Sequence, residues 1–187
     1  MAETYLNNID ITKVDKLMGE TNINVRYFNN TCSEVVKSYS DGLDNLMKDL
    51  YIECIKDGDA SLSTLERYYL ELSNMVYFMQ EKLEQLGVYA DMSESASKEV
   101  FSKSYLNQSI IKDASGKSKS TVAELNAQAS LDSQYESVVA SIYERAYKIV
   151  KAKVDSAQEL LSSAKKVLSH RIQMEQLTNI GGNWYGK

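Results

Sequence analysis

The sequence predicts an all-α protein, an elongated helical bundle or coiled coil with one very long C-terminal helix. The 187 residues include no Pro and only 8 Gly, so few positions oblige a helix to end. From Lys117 to Ile180 there is no Gly at all. A helix over that stretch would be roughly 90 Å long, far longer than a small domain is wide. Its apolar stripe therefore has to be covered by the chain's other helices, by further copies of the chain, or by both.

The first elements are a short helix over about residues 9–18, ended by Gly19, and a long helix over about residues 23–56. The long helix is weakened at Gly42 and closed by Gly58. Its apolar residues step by three or four, as on a helix packed against neighbours: Phe28, Cys32, Val35, Tyr39, Leu43, Leu46, Leu50 and Cys54.

A third helix is predicted to begin at Ser63, where Ser63 and Glu66 have the spacing of a capping box, and to end at Gly87. A strict 4-3 repeat predicts a coiled-coil seam along it: Leu65, Tyr69, Leu72, Val76, Met79, Leu83 and Leu86. The short connection to the preceding helix favours an antiparallel hairpin. A shorter fourth helix is expected from Asp91 or Ser93 to about Asn107.

Residues 112–120 are small and polar without an apolar period, which predicts a mobile loop. Thr121 and Glu124 form a second capping-box pattern and open the long helix. Its stripe drifts from heptad spacing in the middle: Leu131, Tyr135, Val138, Ile142, Ala146, Val150, Val154, Ala157, Leu161, Ala164 and Leu168. We thus divide the chain into an acidic helical hairpin region (1–110), a flexible linker (111–120), a long C-terminal helix (121–180) and an aromatic tail (181–187).

Charge is unevenly distributed along the chain. Residues 1–100 hold 9 Lys and Arg against 18 Asp and Glu, whereas residues 101–187 hold 12 against 8. Such a division is typical of head-to-tail packing, of a basic face for an anionic partner, or of an acidic half that shields a basic one. We expect no signal peptide and no membrane span. Cys32 and Cys54 are too far apart on one helix to form a disulfide, so we expect a cytoplasmic protein of a host cell, or a virion component.

The chemical motifs predict no enzyme, metal site or cofactor. Gly116-Lys117-Ser118 resembles the end of a phosphate-binding loop, but Ile111 stands where that motif needs Gly, and no strand precedes it. His170 is the only histidine, and no Cys or acidic pair has ligand spacing to it. Glu81 and Glu84 are expected to be solvated charges on a polar helix face.

The 13 Tyr residues allow two interpretations. Packing in cores and interfaces is favoured, because amphipathic spacing already accounts for most of them. The alternative is a platform on which the bases of single-stranded nucleic acid stack.

The basic side chains of the long helix and the loop are the best candidate site, since together they could neutralise several phosphates. Because Glu144, Asp155 and Glu159 are interleaved with them, an ordinary solvated helix surface is at least as good an interpretation. The candidate nucleic-acid-binding residues are Lys117, Lys119, Arg145, Lys148, Lys151, Lys153, Lys165, Lys166 and Arg171.

Tyr143 to Gly182 is a helix rich in small residues that carries the run Lys165-Lys166-Val167-Leu168-Ser169-His170-Arg171. It resembles the C-terminal helix of the recombination mediator proteins of T4-type phages, which ends in a Ser-Arg signature and a Gly-containing tail. The resemblance implies a ring-forming, all-helical protein that helps to load a recombinase onto single-stranded DNA. Arg171 would be the signature Arg. The acidic N-terminal half departs from the basic pattern of that family.

Two functional hypotheses follow. The first is a non-enzymatic, self-assembling recombination mediator or single-stranded DNA accessory protein. The second is a phage virion structural or assembly protein that acts through protein–protein helix packing, with other phage structural proteins as partners. Both require a homo-oligomer, for which we predict these interface residues: Leu65, Tyr69, Leu72, Val76, Met79, Leu83, Leu86, Ile142, Val150, Leu161, Leu168, Trp184 and Tyr185.

Overall fold

The computed structural model describes the backbone of residues 11–56, 60–111 and 120–182, and the side chains of residues 25–54, 60–111 and 120–177. These ranges contain four α-helices: α1 (Ile11–Leu50), α2 (Leu62–Ser109), α3 (Val122–Asp132) and α4 (Gln134–Gly182). One π-helical segment, Tyr51–Lys56, continues α1. No strand is present in the described part of the chain, so the predicted all-α class is confirmed.

Two of the predicted helix ends at glycine are wrong, because α1 continues through Gly19 and α2 continues through Gly87. A lone Gly costs a helix only about 1 kcal/mol, which tertiary packing can offset. At Gly87 the packing is visible, since an added Cβ would lie 3.3 Å from Cε2 of Tyr147 on α4. This glycine makes room for a ring, and the expected fourth helix is the second half of α2.

The start of α2 also differs from the prediction. Ser61 is the N-cap, and its hydroxyl accepts a hydrogen bond of 3.2 Å from the backbone N–H of Thr64. Ser63 lies inside the first turn, so the predicted box with Glu66 does not cap this helix. The second predicted capping box is confirmed at α3, where the Thr121 hydroxyl accepts from the Glu124 N–H and the Glu124 carboxylate accepts from the Thr121 N–H.

The long C-terminal helix is interrupted at Ser133, which separates α3 from α4. The interruption is short: the Ser133 N–H still donates to the Ala129 carbonyl, and the Ser133 carbonyl accepts from the Ser137 N–H. The Ser104 hydroxyl of α2 donates a hydrogen bond to the Asp132 carboxylate at the end of α3. From Gln134 onward α4 is continuous, including the region around residues 150–155.

The three long helices form one bundle in which α1 and α4 are parallel and α2 is antiparallel to both. Cys32 lies beside Ile142, and Asp44 lies beside Lys153, so α1 and α4 advance together. Gly87 lies beside Tyr147 and Ala60 beside Arg171, so α2 runs the opposite way. α3 packs on the second half of α2, with Leu125 and Ala129 buried.

One apolar core is shared by the three long helices, and it covers the middle of the α4 stripe within a single chain. Its buried members are Cys32, Val36, Leu43, Leu72, Val76, Met79, Leu86, Ile142, Ala146, Val150, Val154 and Ala157. The predicted stripe is therefore confirmed over that part of α4. Its first members, Leu131, Tyr135 and Val138, are exposed, whereas α3 buries Leu125 and Ala129.

Candidate functional site

The predicted basic residues on α4 do not form one continuous cationic surface. Six of them are exposed to solvent: Arg145, Lys148, Lys151, Lys165, Lys166 and Arg171. Lys148 is paired with Glu144 at 2.5 Å, and the Arg171 guanidinium donates to the carbonyl of Ala60 at 2.9 Å. Lys117 and Lys119 lie outside the described residues. The remaining exposed cations, without an ion pair in the described ranges, are Arg145, Lys151, Lys165 and Lys166.

Lys153 is held between helices and is not part of an exposed basic surface. Its ammonium donates to Asp44 Oδ2 at 2.5 Å and to Ser40 Oγ at 2.9 Å, both on α1. Ser40 is fully buried and itself donates to Asp44 at 3.0 Å. Lys153, one of the predicted site residues, is thus bonded to α1, and this contact fixes the register of α4 against α1.

Acidic side chains interrupt the outward face of α4. At about 100° per residue, Lys148 and Lys166 point to the same side as Asp155 and Glu159, opposite the buried stripe. The four unpaired cations are spread from Arg145 to Lys166, about 31 Å along the helix. A phosphate backbone could contact them only at intervals, and with carboxylates between them.

The π-helical segment at the end of α1 carries a polar cluster that the sequence did not reveal. Glu53 pairs with Arg67 of α2 at 3.1 Å, and the Arg67 guanidinium lies 4.8 Å from the centre of the Tyr68 ring. Burial, followed by a hydrogen bond and the negative charge of Glu53, raises the pKa of the Tyr68 hydroxyl. π-Helical turns often mark functional positions. Here the contacts join the π-helical segment to the first turns of α2.

The predicted oligomer-interface residues lie in the core of the single chain as far as the structure describes them. Leu72, Val76, Met79, Leu86, Ile142, Val150 and Leu168 are buried, and Leu65, Tyr69, Leu83 and Leu161 are half-buried. Trp184 and Tyr185 lie outside the described residues. The helices of one chain already cover these side chains, so self-association stays a prediction and would use other surfaces.

Large apolar side chains are exposed on the outward side of α2. Leu70, Tyr77 and Val88 are 62%, 72% and 55% exposed. Their spacing of 7 and 11 residues keeps them on one side of the helix, opposite Leu72, Met79 and Leu86. We call these three residues the outward row. Phe78, 60% exposed, meets the Tyr77 ring edge-on with the ring centres 5.4 Å apart.

The tyrosines divide between the two interpretations given above. Tyr68 is buried, and Tyr143 and Tyr147 are half-buried in interhelical contacts, as packing requires. Tyr77 and Tyr135 are 72% and 76% exposed, so helical periodicity did not identify their environment.

The remaining candidates for chemistry are solvent-exposed. His170, Glu81 and Glu84 are all exposed, and the described residues contain no group of three or more His, Cys, Asp or Glu side chains arranged to hold a metal ion. Among the described helices, none has the length and apolar character needed to cross a lipid bilayer.

Comparison with known proteins found no family model, no curated protein and no solved structure that matches this chain.

Proposed function

We propose that this chain is a non-enzymatic helical assembly protein that acts by packing against other protein chains, including copies of itself. The outward row of α2 carries the proposal. Three large apolar side chains, each more than half exposed, lie on one helix face over about 27 Å, with Glu81 and Glu84 between Tyr77 and Val88, and exposed apolar side chains on one face are typical of protein-binding surfaces. The core of the bundle is already complete without them, so intramolecular packing does not explain their apolar character.

The experiment measures mass by light scattering over a range of protein concentrations, with and without single-stranded DNA, at two salt concentrations. We expect the wild-type mass to rise above the 21.1 kDa of one chain as the concentration increases, with or without DNA. A variant with Leu70→Ser, Tyr77→Ser and Val88→Ser should stay near one chain. Leu106→Ser, Ile110→Ser and Val122→Ser make a matched control, because these side chains are 62%, 69% and 66% exposed elsewhere on the bundle. A wild-type protein that remains monomeric at high concentration would rule out the proposal.

A second candidate is a single-stranded DNA accessory protein of the recombination mediator type. It is favoured by the four exposed cations of α4 that have no ion pair in the described ranges. That function requires DNA binding whose affinity falls steeply as salt rises, by roughly one decade per decade of salt for each phosphate neutralised. In the same experiment it would appear as a DNA-dependent increase in mass that disappears at the higher salt concentration.

A further inference from the structure

The groove between α2 and α4 runs beside the outward row and is open to solvent. Two adjoining cavities form it, of about 480 and 630 Å³, and both are bordered by Glu84. Tyr77 and Val88 lie on its rim. Small residues form part of its wall, including Ala90, Ala140 and Ser141, whereas the space above Gly87 is filled by the Tyr147 ring.

The groove is acidic. Its walls carry six carboxylates against two ammonium groups, and both lysines are already paired, Lys98 with Glu94 and Lys148 with Glu144. The carboxylates that have no ion pair in the described ranges are Glu81, Glu84, Asp91 and Asp155. An occupant of this groove should therefore be cationic, with apolar side chains for the rim.

The end of α4, from Lys165 to Leu177, has that chemistry. Every side chain from Ser169 to Leu177 is exposed, although the Arg171 guanidinium still donates to the Ala60 carbonyl just before α2. Val167, Met174 and Leu177 are 51%, 51% and 64% exposed and lie on one side of the helix. Lys166 and Arg171 flank them, whereas Lys165 lies on the opposite side of the helix, so the segment carries three basic side chains against one acidic side chain, Glu175.

We propose that the α2–α4 groove receives the α4 end of a second copy of this chain. The occupant cannot be the chain's own α4 end, because α4 is continuous and its middle forms one wall of the groove. The groove is long enough for this segment: it follows α2 from Tyr77 to Ser97, about 30 Å, and the α4 end is about 18 Å long. The two surfaces differ, so the contact is heterologous and can repeat into a ring or a filament. This inference rests on the proposed function and names its partner and surface.

Charge reversal on each side tests the pairing. One variant carries Lys165→Glu and Lys166→Glu, and the other carries Glu84→Lys and Asp91→Lys; all four side chains are exposed, so folding should be preserved and circular dichroism checks it. Each variant alone should associate about 100-fold more weakly than wild type, because the first places like charges opposite each other and the second leaves the groove with as many ammonium groups as carboxylates. An equimolar mixture should form a defined 1:1 complex, since the groove of the first variant and the α4 end of the second are both unchanged.

Matched controls change the same charges elsewhere on exposed positions. Lys37→Glu with Lys82→Glu matches the first variant, and Glu34→Lys with Asp49→Lys matches the second. The controls should associate as wild type does. Two variants that associate normally, or a mixture that fails to form the complex, would overturn this pairing and leave the assembly function standing. A monomeric wild type would instead remove the assembly function itself.

Discussion

Replacing Leu86 with Ala should remove a large part of the stability of a single chain. Leu86 is 0% exposed and belongs to the core formed by α1, α2 and α4. Truncating a fully enclosed Leu loses its transfer free energy and leaves a cavity, which together cost about 3–5 kcal/mol. Small domains have only about 5–15 kcal/mol in total, so the urea midpoint should fall markedly at an unchanged m-value.

The control is Leu106→Ala, which makes the same chemical change on the same helix at a side chain 62% exposed. It should alter the free energy of unfolding by at most about 0.5 kcal/mol. Urea unfolding followed by far-UV circular dichroism, at protein concentrations too low for association, measures both variants. A loss below about 1 kcal/mol for Leu86→Ala would refute the core described here. So would a wild-type midpoint that rises with concentration in that range, since other copies would then be completing the core.

Three further predictions concern particular side chains. Gly42→Ala should stabilise the protein by roughly 0.5–1 kcal/mol in the same urea assay, because the new Cβ would meet only the flexible end of a methionine at 3.4 Å. Burial raises the pKa of both thiols, so Cys32 and Cys54 should react slowly with a thiol reagent in the native protein, with the 3%-exposed Cys32 slower, and quickly in urea. Hydrogen bonds from the N–H and then the hydroxyl of Thr121 lower the pKa of Glu124 below its ordinary 4.5, so its stabilising contribution is present above that pH and lost as the pH falls further. Glu124→Gln should therefore show a smaller loss of stability on acidification, and an identical acid profile would contradict this.

The periodicity of the sequence was sufficient to predict the fold class and much of the core. The seam of α2 and the α4 stripe from Ile142 to Leu168 were recognisable because helical spacing places their members on one face. The Thr121 cap was recognisable because both of its partners are local.

The features that the sequence did not predict depend on distant partners. Gly87 lies against the Tyr147 ring of α4, and Lys153 is held by Asp44, more than a hundred residues away. Helical spacing alone could not reveal that Lys153, predicted to belong to a cationic surface, is instead paired with a carboxylate of α1. Nor could it reveal that the presumed interface residues are covered by the chain's own helices. The outward row escaped notice because Leu70, Tyr77 and Val88 lie outside the seam that the pattern detects.

Hydrogen exchange along α4, at a concentration where the mass is that of one 21.1 kDa chain, tests most directly whether α1 and α2 cover its apolar stripe. We predict slow exchange of the backbone amides from Ile142 to Ala157, and fast exchange from Ser169 to Leu177, where every side chain is exposed. Equally fast exchange along the whole helix in the monomer, with protection appearing only as copies associate, would contradict the single-chain bundle.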